Sequence, residues 1–167
     1  VSGDKLELLF EESCDPGHRA GFDRNYWIWE QPLDGLEYVV VGDVARGDGK
    51  DYSTVQVIRC DTMEQVAEYQ GKITADMYAP LIAEIAAEYN NALLVIENNR
   101  DYGVLSKLEE LEYPNLYYSL KSTHDYVDQL VAQAKNGIAG FTMSMKTRPL
   151  VIAKLEEFIR NGVIKIN

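Results

Sequence analysis

The chain has 167 residues, of which 46% are hydrophobic, enough for one domain with a real core. Its formal charge of −11 argues against a free-standing domain that grips DNA by counterion release, unless divalent metals neutralise a carboxylate cluster or the basic surface lies elsewhere in a larger protein. No apolar run approaches the ~20 residues of a membrane span, and the start does not read as a signal peptide, since Asp4, Glu7, Glu11 and Glu12 sit where a basic region and an apolar run would be required.

Residues 1–37 read as a lead-in segment: "DKLELLFEE" as a short helix, "CDPGHRAGFD" as loop, "NYWIWEQP" as a strand ended by Pro32. The domain proper is expected over 38–167. Residues 38–43, "YVVVGD", predict a strand buried on both faces. Residues 53–60 and about 65–73 predict two more in a hairpin meander. "TADMYAPLIAEIAAEYN" predicts a helix capped by Asp76 or Thr74, with Pro80 in its first turn and an apolar stripe of Leu81, Ile82, Ile85, Ala86 and Tyr89.

"ALLVIE", residues 92–97, predicts a short buried strand. A helix with Val104, Leu105, Leu108 and Leu111 follows, stopped by Pro114, and then the strand "NLYYS". Residues 120–140 read either as a helix or as part of a long excursion. "RPLVIAKLEEFIRNG" predicts a helix with Leu150, Val151, Leu155, Phe158 and Ile159 inward, and "VIKI" a closing strand. Three strands followed by alternating helices and strands imply an α/β mixed sheet.

Chemistry gathers where two apolar strands each end in an acid, Asp43 and Glu97. Ligand sites in α/β sheets sit at the carboxyl ends of strands, and a right-handed crossover can make these two strands neighbours. Two adjacent carboxylates repel, and a divalent cation removes that penalty; oxygen ligands without nitrogen suit Mg²⁺ or Mn²⁺. The supple "RGDGK" loop lets Asp51 reach back as a further ligand. The same segment is not a Walker A loop, since Asp51 follows its Lys, nor an EF-hand loop, since Ala45 and Gly47 fall at ligand positions. Cys14, Cys60, His18 and His124 do not make a zinc cluster, and two free thiols suit a reducing cytoplasm.

Together, "YVVVGDVARGDGKDYSTVQVI", "EYNNALLVIENNRDYG" and "GFTMSMKTRPLVIAKLEEFIRNGVIKI" resemble the nuclease domain of the large terminase subunit of tailed bacteriophages, over about residues 25–167. The resemblance implies an RNase H-like fold and cutting of concatemeric double-stranded viral DNA with two Mg²⁺ or Mn²⁺ ions. It places Asp43 and Glu97 as catalytic metal ligands and Asp51 as an additional acid. Arg46, Lys50, Arg100, Lys146 and Arg148 stand near the expected rim, as phosphate contacts or as ordinary solvated cations.

The family's third acid lies in an Asp-Asp-Leu motif beyond the closing strand. The chain therefore reads as a fragment truncated at the C-terminus, with an incomplete metal site and weak or no cleavage of its own. The implied partners are an ATPase motor domain of the same polypeptide, the portal and the small terminase subunit, without a membrane, in the host cytoplasm. The alternatives are another RNase H-like nuclease of resolvase type, or a non-cleaving docking or DNA-binding module of the packaging motor.

Overall fold

The computed structural model of the protein describes residues 1–45, 51–99, 103–119 and 137–167. Arg46, Asp48, Lys50, Arg100, His124 and most of the ambiguous stretch 120–140 lie outside the described residues. The apolar, largely β-branched runs form β3, β4 and β6, and three less apolar segments pair onto the same sheet. Six strands make one mixed sheet: β1 (His18–Ala20), β2 (Tyr26–Ile28), β3 (Tyr38–Asp43), β4 (Ser53–Arg59), β5 (Glu64–Gly71) and β6 (Leu93–Ile96), in the order β1-β2-β5-β4-β3-β6. Neighbours are antiparallel except β3 and β6, which are parallel and joined through a helix, as the sequence pattern predicts. Strands β7 (Tyr118–Ser119) and β8 (Ile138–Ala139) form a separate two-stranded pair.

The lead-in segment contributes α1 (Gly3–Glu12) and both β1 and β2. "HRA" in β1 carries no strand pattern of its own; it is extended because it pairs with β2, where Arg19 faces Trp27.

Helices α2 (Ala75–Glu88) and α3 (Val104–Glu110) cover one face of the sheet. Tyr78, Ile82 and Ala86 of α2 and Val104 and Leu108 of α3 are fully buried there with Val40, Val55, Val57, Leu94 and Ile96. Each large side chain buried this way contributes about 1.5–3 kcal/mol. Thr74 takes the N-cap position of α2 without capping through its side chain. A hydrogen bond with Thr74 instead holds the Asp76 carboxyl below the usual range. Pro80 sits inside α2 beyond the first turn, so its ring removes the bond that the Asp76 carbonyl would accept.

Two expectations change. Strand β3 is not buried on both faces: Tyr38, Val40 and Gly42 are buried, while Val39 is half-buried and Val41 and Asp43 are exposed. The Val run is compatible with either environment, and α2 supplies cover on one side. Helix α4 (Thr147–Arg160) forms and ends at Gly162 with φ +64°. Its expected inner stripe is not inside: Leu150 is 65% exposed, and α4 buries no residue among those described. Nor is "VIKI" a strand. Lys165 makes a single parallel bridge to Glu64, and Asn167 donates to the Gln65 side chain and carbonyl at 2.8 Å each.

Candidate metal centre

The parallel register decides the site. Val39 aligns with Leu93, Val40 with Leu94, Val41 with Val95 and Gly42 with Ile96. The next residues are Asp43 and Glu97, so the two acids leave adjacent strands side by side, about 4.8 Å apart across the ladder. The backbone amide of Glu97 donates to the Gly42 carbonyl at 3.4 Å, closing the ladder at this point. Side chains alternate, so with Gly42 and Ile96 facing α2, Asp43 and Glu97 both emerge on the other face.

Gly42 makes this possible. A Cβ there would stand inside contact distance of the Tyr78 hydroxyl, Ile82 Cδ1 and Ile96 Cδ1. The absent side chain lets α2 press onto the strand just below the acid. Asp43 pairs with Thr54 of β4, and the Tyr78 hydroxyl donates to the Thr54 carbonyl at 2.7 Å. Burial pushes the Tyr78 phenol well above its ordinary range, with a smaller contribution from the Asp43 charge.

On the Glu97 side, a distant segment joins the edge. Phe141 forms a parallel bridge with Glu97; its amide donates to Ile96 at 2.8 Å and its carbonyl accepts from Asn98 at 2.9 Å. Asn98 Nδ2 donates to the Ala139 carbonyl at 3.0 Å, and the Thr142 hydroxyl donates to Asn98 Oδ1 at 2.9 Å. Gly140, at φ +80°, passes so close to the Ile96 carbonyl that a Cβ would collide with it. Asn99 Nδ2 donates to Glu97 Oε1 at 2.8 Å and to the Met143 carbonyl.

The donor set suits a hard divalent ion. Asp43 is exposed and Glu97 half-buried, and among the described residues no cation forms an ion pair with either. Glu97 Oε2 also has no hydrogen-bond donor among those residues. Asp51 stands exposed two residues before β4. Among the described residues, no three Asp, Glu, His or Cys side chains converge as a metal-binding group. The structure therefore brings Asp43 and Glu97 together and does not gather Asp51 with them.

Lys146 and Arg148 are exposed at the start of α4, a few residues after the segment zipped to Glu97. Arg46, Lys50 and Arg100 lie outside the described residues. Sequence reasoning missed Asn99, the second of two consecutive amides directly after a strand-ending acid. Lys72 lies 5.1 Å over the Tyr52 ring at the same end of the sheet, where Ser53 pairs with Gly71.

No family model matches the chain, and no curated protein matches it. Solved structures do. The large terminase nuclease from thermophilic phage G20c with bound magnesium is 15% identical, with a TM-score of 0.61, covering 97% of this chain and 72% of that one. The same nuclease with bound zinc gives 17% identity and a TM-score of 0.62, over 98% and 81%. The large terminase nuclease domain of Thermus phage P74-26 gives 15% and 0.61, over 97% and 70%. The mixed sheet with its flanking helices is thus the RNase H-like fold of these terminase nucleases. No helix among the described residues is long and apolar enough to cross a membrane.

Proposed function

We propose that this chain is the metal-dependent DNA endonuclease domain of a viral packaging terminase, cutting concatemeric double-stranded DNA by two-metal phosphodiester hydrolysis. The observation that carries the reading is the parallel register of β3 and β6, which sets Asp43 and Glu97 side by side on a terminase-nuclease fold. That solved structures of the same fold carry bound magnesium or zinc supports a divalent ion as the cofactor.

Asp43 and Glu97 hold Mg²⁺ or Mn²⁺; Asp51, which stands on the β4 side outside the pair, would have to move toward it to serve as the additional acid. The bound ions supply Lewis acidity and charge neutralisation at the scissile phosphate. The protein's own part is to aim the carboxylates: the β3–β6 ladder fixes their backbones, and Tyr78 braces β4 beneath Asp43. Lys146 and Arg148, with Arg46, Lys50 and Arg100, meet phosphates without reading sequence. An ATPase motor in the same polypeptide, the portal and the small terminase subunit are the proposed partners, in the host cytoplasm.

The full-length polypeptide should nick and cut plasmid DNA with Mg²⁺ or Mn²⁺, and Asp43→Ala or Glu97→Ala should abolish both. Undiminished cleavage by Asp43→Ala sinks the assignment. The 167-residue chain alone should cut weakly or not at all. A second reading, a docking module that binds DNA without cutting it, is favoured by the lack of a three-acid group among the described residues. DNA retention by the full-length polypeptide with no cutting in either metal would select it.

A further inference from the structure

We infer that Asn99 is a positioning residue: its single amide group sets the Glu97 carboxylate and ties the start of α4 to the same acid edge. The metal part of this inference rests on the proposed function. An amide nitrogen carries two N–H donors. Here one goes to Glu97 Oε1 at 2.8 Å and the other to the Met143 carbonyl at 2.5 Å, across 44 residues of sequence. Glu97 is a flexible side chain at a strand end. With Oε1 taken and Oε2 without a donor among the described residues, the carboxylate is held by one oxygen and presents the other. Partners of this kind around metal ligands orient the ligand before the ion arrives.

The other donor reaches further. After Met143, the Ser144 hydroxyl accepts from the Thr147 amide at 3.1 Å, and the Ser144 amide donates to the Thr147 hydroxyl at 2.8 Å. These reciprocal bonds, with the Arg148 amide donating to the Ser144 carbonyl at 2.9 Å, tie the Ser144 turn to the start of α4, where Lys146 takes the N-cap position and Arg148 lies in the first turn. Glu97, Asn99, Met143, Ser144 and Thr147 form one continuous chain of contacts. Asn98 provides an internal contrast: its amide holds Ala139 and Thr142 and does not touch the acid.

The test uses the 167-residue chain with Asn99→Leu, which keeps the branching at Cγ and removes the amide. Asn99→Gln restores an amide, and Asn98→Leu loosens the segment without touching Glu97. In metal-free protein, Asn99→Leu should speed hydrogen exchange at Ser144 and Thr147 while β3 and β6 amides keep their protection. In a Mn²⁺ titration followed by paramagnetic broadening, Asn99→Leu should weaken apparent affinity about tenfold. Asn99→Gln should recover part of that loss, and Asn98→Leu should leave affinity near wild type. Unchanged exchange at Ser144 and Thr147 overturns the tie to α4, and wild-type Mn²⁺ affinity in Asn99→Leu overturns the positioning of Glu97. Glu97→Gln separates the two readings. If it does not weaken Mn²⁺ binding, the metal centre itself falls and takes the positioning role with it, while the exchange result still decides the tie.

Discussion

On the helix-covered face of the sheet, Val40, Val55, Val57, Leu94 and Ile96 have no exposed surface; on the opposite face Val41 is 41% exposed among Gln56, Glu68 and Gln70. The difference is one of parity along the same strands. Tyr38, Val40 and Gly42 anchor β3 under α2, and the residues between them, ending in Asp43, face outward. The packed layer lies on one face, and the two adjacent acids are presented on the other. Stability and metal binding should therefore respond to different residues of the same strand.

The largest test of this division is Leu94→Ala, on the covered face. It should cost about 2–5 kcal/mol in urea unfolding, because transfer and cavity terms add. Gly42→Ala comes next, at about 1–3 kcal/mol, because the new methyl meets Tyr78, Ile82 and Ile96 in a packed layer. Tyr78→Phe should cost about 0.5–1.5 kcal/mol by removing the bond to the Thr54 carbonyl. Val41→Ser, one residue from Gly42 but on the open face, should stay within about 0.5 kcal/mol. A loss for Val41→Ser as large as that for Gly42→Ala would break the comparison.

Alkaline pH sharpens it further. The Tyr78 phenol is raised above its ordinary 10.0 by burial first and by Asp43 second. Tyr113, whose hydroxyl donates to the Ala92 carbonyl at 2.6 Å, is raised by burial alone. A raised folded value means stability that is whole below the unfolded value and lost as the pH climbs past it, because only the unfolded phenol ionises readily. The melting temperature should fall above about pH 10, and Tyr78→Phe should fall less steeply than wild type. Equal slopes would place the effect on the other buried tyrosines.

Much of the sheet was legible in the chain. β3, β4 and β6 announce themselves as β-branched or apolar runs bounded by turn residues, β5 shows as alternation, and the acids ending β3 and β6 are the pair that the register sets side by side. Their adjacency needed the crossover rule as well as the local pattern. Less visible was anything that depends on what lies opposite. The Val39–Val41 run looks the same whether one face is covered or two, and the α4 stripe has helical spacing whether or not anything packs on it. "HRA" is a strand only because β2 is beside it. Asn99 escaped notice because its second partner, Met143, is remote in sequence. Asp51 has the chemistry of a metal ligand and stands on the β4 side without joining the pair, and no group of three acids forms among the described residues.

The parallel pairing of β3 with β6 also has a kinetic meaning. The acids meet only after the whole β4–β5–α2 excursion has closed, and the Glu97 edge is finished by Phe141, further along the chain. Such long-range closures carry an entropic cost that local hairpins avoid, and they tend to form late in folding. A divalent ion that needs both carboxylates can then grip only a nearly native chain. Mn²⁺ should slow unfolding in stopped-flow measurements while leaving the refolding rate in place, so the metal would act as a latch on the finished sheet rather than as a seed for it.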